Sequence, residues 1–115
     1  MATKDLSPAG IVTLTDGATV NTDAAAGRIF RLAAAGDRTL AAPTNPADAM
    51  TRQWEITASA AQRTITLATG STGAFVLTAG TSASYTIASG KILYLIARYD
   101  STQSRWVVLG QRVLA

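Results

Sequence analysis

The sequence predicts an all-β fold: an antiparallel β-sandwich or β-barrel-like module preceded by an extended N-terminal arm. Three observations carry that prediction. Short segments rich in Thr, Val and Ile recur along the 115 residues with Gly, Asp-Gly or Ser-Gly between them, the pattern of short strands joined by tight turns. No helical period is sustained, because the alanine triplets at 24–26 and 33–35 are each closed by a glycine, Gly27 and Gly36. Pro43 and Pro46 fix their own φ and push Ala42 and Asn45 toward extended backbone, so neither a helix nor a central strand can run through 42–46.

Taken in order, residues 1–10 are polar, lack periodicity and any signal-peptide pattern, and read as an arm; residues 11–115 read as a single β-domain. Strands are expected at 11–15 and 18–21, turned by Asp16-Gly17, and at 28–33 and 38–40, turned by Gly36-Asp37. The proline segment then forms an ordered crossing, and Pro46 can open one helical turn over 46–50. On the next strand, 53–57, a period of two puts Trp54 and Ile56 on one face and Glu55 on the other. Further strands follow at 63–68, 75–77 and 84–87, marked off by Gly73, Gly80 and Ser89-Gly90, and at 91–99 and 105–110 around a hairpin loop at 100–104. No segment recurs at a period of about 20 to 50 residues, so a propeller or solenoid is not expected.

Composition narrows the chemistry. Cysteine and histidine are both absent, which removes Ser-His and Cys-His nucleophile pairs, disulfides and the commonest zinc ligands. Glu55 is the only glutamate and reads as a solvated strand residue, while Asp16, Asp23, Asp37, Asp48 and Asp100 sit in or beside turns, where aspartate bonds to nearby N–H groups. Asp16 and Asp23 lack the dense spacing of a calcium loop, and Gly70, Gly73 and Gly80 lack the lysine and helix of a phosphate loop. The expectation is no enzyme, no metal and no cofactor. Ten Lys and Arg against seven Asp and Glu give a net charge of +3, but the arginines are spread along the chain, so no specific nucleic-acid partner is expected. The longest apolar run, 92–97, is far below the roughly 20 residues of a membrane helix.

The run 91–99 is apolar on both faces, with Ile92, Tyr94 and Ile96 on one and Leu93, Leu95, Ala97 and Tyr99 on the other. A strand of a sheet with one exposed face would not look like that; either the same chain or another subunit covers the second face. Trp106-Val107-Val108-Leu109 continues the pattern, with Trp106 expected opposite Tyr99. Leu93, Leu95, Tyr99, Trp106 and Val108 are therefore the candidate subunit interface. Trp54, Trp106, Tyr85, Tyr94 and Tyr99 offer a rival use as a sugar-stacking platform, against the commoner fate of core packing.

Thr15-Asp16, Thr22-Asp23-Ala24, Gly27, Phe30-Arg31-Leu32, Gly36-Asp37-Arg38-Thr39-Leu40, Pro43-Thr44-Asn45-Pro46, Trp54, Arg63-Thr64, Tyr94-Leu95, Tyr99-Asp100 and Arg105-Trp106 follow one another in an order that resembles a β-module of tailed-bacteriophage structural proteins. The resemblance spans roughly residues 11 to 110. It departs at Ala49, where the resembling modules usually carry a glycine. It implies a non-catalytic virion part, first of all a head decoration (cement) protein on the outer capsid surface. Its implied partners are the major capsid protein and further copies of itself, with a trimer as the expected form. The stretch Lys4-Asp5-Leu6-Ser7-Pro8 is the candidate capsid-docking arm. The alternatives are a minor tail or tail-fibre component and a carbohydrate-binding module for the host wall.

Overall fold

The computed structural model describes residues 10–77 and 82–114. Among them the chain forms ten strands: β1 (Ile11–Thr13), β2 (Thr19–Val20), β3 (Ile29–Ala34), β4 (Arg38–Leu40), β5 (Thr51–Ala58), β6 (Arg63–Leu67), β7 (Phe75–Val76), β8 (Ser84–Ile87), β9 (Ile92–Asp100) and β10 (Arg105–Val113). They make two sheets, one ordered β1-β3-β5-β9-β10-β7 and the other β2-β4-β6-β8. The all-β expectation holds, with each expected strand found within a few residues of its place.

The pairing is not the antiparallel one expected. From β1 to β6 the chain alternates between the sheets, and each return lays a strand parallel to the last one in that sheet: β1 on β3, β3 on β5, β2 on β4, β4 on β6. β7 also joins β10 in parallel, and only β5/β9, β9/β10 and β6/β8 are antiparallel. The winding is coil-like, and its returns are uneven. Ile11 lies beside Ile29, which lies beside Gln53, so no fixed period marks the sequence. Parallel neighbours need long connections rather than tight hairpins. Here the connection is the opposite sheet, and Asp16-Gly17 and Gly36-Asp37 turn the chain from one sheet to the other.

Alternation along each strand builds one core. Phe30, Leu32 and Ala34 of β3, Trp54, Ile56 and Ala58 of β5, and Leu93, Leu95 and Ala97 of β9 are buried from the large sheet; Val20, Leu40, Ile65, Leu67 and Ile87 join them from the small one. Trp54, with Glu55 turned to the opposite face as expected, sits at the centre. Its ring lies 5.7 Å from Phe30, 5.6 Å from Phe75 and 6.0 Å from Trp106, the latter two edge-on. Its indole N–H donates to the Thr22 hydroxyl at 3.0 Å, and Thr22 is the one buried polar side chain among the described residues. A buried indole left without that acceptor would be costly, so Thr22 fixes where the β2–β3 connection meets the core.

The proline segment is the ordered crossing expected, carrying the chain from β4 to β5. Thr44 N–H donates to Thr22 O and Ala24 N–H to Thr44 O, both at 2.9 Å. One detail is corrected: Asn45 is not extended but left-handed, at φ 55°. Asparagine tolerates that region because its side chain bonds locally, and here its amide donates to Asp23 at 2.9 Å, outweighing the bias from Pro46. Residues 47–50 form a turn rather than a helix, closed by Met50 N–H on Ala47 O at 3.1 Å, with Ala49 at φ 66°.

Candidate association surface

Leu93, Leu95 and Trp106 have no exposed surface, Val108 is buried, and Tyr99 is half-buried with its ring 5.5 Å from Trp106. The second apolar face of β9 is thus covered by the chain's own small sheet and neighbouring strands. Leu93, Leu95, Trp106 and Val108 are thus not available for the subunit interface assigned to them, because a side chain buried within its own chain has almost no surface left to give a partner; Tyr99 keeps part of its surface. Trp106 does lie opposite Tyr99, as expected. The same burial takes Trp54 and Trp106 out of any sugar-stacking platform. The candidate docking arm, Lys4, Asp5, Leu6, Ser7 and Pro8, lies outside the described residues.

What remains open is the other face of β9 and β10. Ile96, Leu109, Val113 and Leu114 are the exposed large apolar side chains among the described residues, and all four belong to this hairpin or its end. A bulge shapes the outer strip of Ile96, Leu109 and Leu114: Val108 pairs with Ala97 but Gly110 pairs with Ile96, so Leu109 is the extra residue and stands 59% exposed, while Val113 pairs with Leu93 and lies on the core side at the open end of the hairpin. The bulge also reverses the parity of β10, bringing Arg112 opposite Tyr94 on the outer face. Because Gly110 has no side chain, a recess of about 250 Å3 opens between Tyr94, Ile96 and Arg112.

Across the same sheet, register aligns Thr13, Arg31, Glu55, Tyr94 and Arg112 in one row. Arg31 Nε donates to Glu55 Oε1 at 3.0 Å, so the only glutamate is spent on a cross-strand ion pair bordering a shallow recess of about 420 Å3. At the starts of β3 and β5, a third recess of about 240 Å3 is lined by Arg28, Ile29, Thr51, Arg52 and Gln53.

The turn aspartates do the structural work expected of them. Asp16 accepts from Arg38 at 2.8 and 2.9 Å and from Ala35 N–H at 3.2 Å, and the Arg38 bond foremost holds its carboxyl below the usual aspartate range. Asp23 is lowered by Asn45 and then by Ala25 N–H, and Asp48 by the N–H of Ser101. Each is a carboxylate whose charged form is hydrogen-bonded, which favours ionisation. Among the described residues no three His, Cys, Asp or Glu side chains gather as metal ligands. No protein-family model, curated protein or solved structure matches the chain.

Proposed function

We propose that the chain is a virion structural protein of a tailed bacteriophage, a head decoration protein that binds the outside of the assembled capsid and reinforces it. The observation that carries the reading is the exposed apolar strip of Ile96, Leu109 and Leu114, set beside an outer sheet face on which Arg31 and Glu55 are paired with each other. Exposed apolar side chains gathered on one hairpin are what an associating protein presents. In this reading the two sheets form a sandwich-type module, the strip joins copies of the chain into a homo-oligomer with a trimer as the working form, and residues 1–10 are an arm that lies on the major capsid protein. Addition of a strand to a neighbour's sheet edge supplies backbone hydrogen bonds without a deep pocket, and several weak contacts from one oligomer act together. The ordered motifs from Thr15-Asp16 to Arg105-Trp106 supply the phage assignment.

The test is the copy number of this chain relative to the major capsid protein in purified virions, by quantitative mass spectrometry. A ratio approaching one to one is expected for head decoration. A ratio of a few per cent or less would move the protein to the tail tip or fibres, and absence from virions would overturn the reading.

A further inference from the structure

We infer that the recess between the first residues of β3 and β5 is an oxyanion site that takes a carboxylate or phosphate group on the guanidinium groups of Arg28 and Arg52. The inference is independent of capsid docking. Of the five residues lining the recess, Arg28, Arg52, Thr51 and Gln53 carry side-chain hydrogen-bond donors, and none is acidic. Arg52 is held in place: its Nε donates to Ala24 O and its Nη1 to Thr51 O, both at 2.8 Å. Those acceptors are neutral, so they orient the guanidinium without compensating its charge. Burial first, and then the nearby charge of Arg28, pull the Arg52 pKa down.

Every carboxylate among the described residues is already engaged away from this recess. Asp16 holds Arg38, Glu55 holds Arg31, Asp23 holds Asn45, and Asp37, Asp48 and Asp100 accept the N–H groups of Thr64, Ser101 and Thr102. An oxyanion in the recess would relieve both arginines at once, and the planar fork of a fixed guanidinium suits carboxylate and phosphate alike. An acidic side chain of a docking partner and a free phosphate present the same chemistry here.

The experiment is an NMR titration of the full chain with sodium phosphate, sodium acetate and sodium chloride at matched ionic strength, following the arginine Nε–H signals. Saturable shifts at Arg52 and at the amides of Arg28 and Ile29 are expected with phosphate or acetate and not with chloride, while Arg112 stays unmoved. Whichever anion saturates at lower concentration names the source. Arg28→Gln, an exposed position, should weaken binding about tenfold or more. The titration is repeated in Asp5→Asn so that the remaining acidic side chain of the sequence cannot occupy the site first; saturation in either chain supports the site. Linear drift in both, equal shifts with chloride, or unchanged binding in Arg28→Gln would overturn it.

Discussion

Ala49 occupies the third position of the turn at 47–50 with φ 66°, a conformation that costs an L-residue with a Cβ on the order of 1 kcal/mol and costs glycine almost nothing. The turn is held there by its surroundings, since Ala49 N–H donates to Tyr99 O at 2.9 Å and Asp48 accepts from Ser101, fastening it to β9 and the hairpin loop. Ala49→Gly should therefore stabilise the protein slightly, by up to about 0.5 kcal/mol after the larger unfolded-state entropy of glycine is set against the relieved strain. Urea denaturation would read this as a higher midpoint at unchanged slope; a lower midpoint would mean that the turn relaxes around alanine. The departure from the glycine expected at this position is thus a local strain that the fold tolerates. Charge behaves as locally. The folded carboxyl of Asp16 lies below its unfolded value, so its contribution is complete above the unfolded value and disappears as pH falls through the folded one. Asp16→Asn should lower the melting temperature at neutral pH, and the gap to wild type should close below about pH 4 in a pH series of thermal melts. A gap that persists at low pH would assign the effect to lost hydrogen-bond geometry instead of charge.

At the scale of elements, parallel winding depends on close approach where successive returns meet. Gly27 shows this most directly: a Cβ there would run into Gly10 O and would lie 2.6 Å from the Val12 side chain, with backbone on one side that cannot swing away. Arg28 N–H donates to Gly10 O at 2.9 Å across the same contact, so Gly27 is what lets β1 dock beside β3. Gly27→Ala should cost about 1 to 3 kcal/mol, and hydrogen exchange should quicken first in β1 while β5 and β9 keep their protection. Uniform loss of protection would show that β1 is not a separable edge. The sequence made Gly27 legible only as a helix stop after Ala24–Ala26, because its neighbour in space is seventeen positions away in the chain. Strand positions were legible for the opposite reason: Phe30-Arg31-Leu32 and Trp54-Glu55-Ile56 alternate within a few residues, and burial follows that alternation. Pairing direction was not, since alternation fixes the face of a strand and is silent about its neighbour.

For the whole molecule, the decisive question is which face of the β9–β10 hairpin the chain itself covers and which it leaves exposed. Composition suggested that the core would be lean, and the apolar pattern of both faces was legible. The assignment of faces was not, because a small sheet of short strands, two to five residues each, covers the Leu93–Leu95 side with Ile65, Leu67 and Ile87. The bulge at Leu109 was hidden for a further reason: Val107-Val108-Leu109 is apolar throughout, so a one-residue slip leaves no mark in the sequence. Two substitutions separate the faces. Leu95→Asp places a carboxylate where the leucine has no exposure and should cost about 3 kcal/mol or more, unfolding much of the protein and abolishing any assembly with it. Leu109→Asp changes a residue that is 59% exposed on a bulge, so folding stability should stay within about 0.5 kcal/mol of wild type while self-association, followed by sedimentation velocity, weakens sharply. A Leu109→Asp protein that still associates like wild type would place the contact between copies elsewhere. One that unfolds like Leu95→Asp would mean that the strip serves the fold of the single chain and not its assembly.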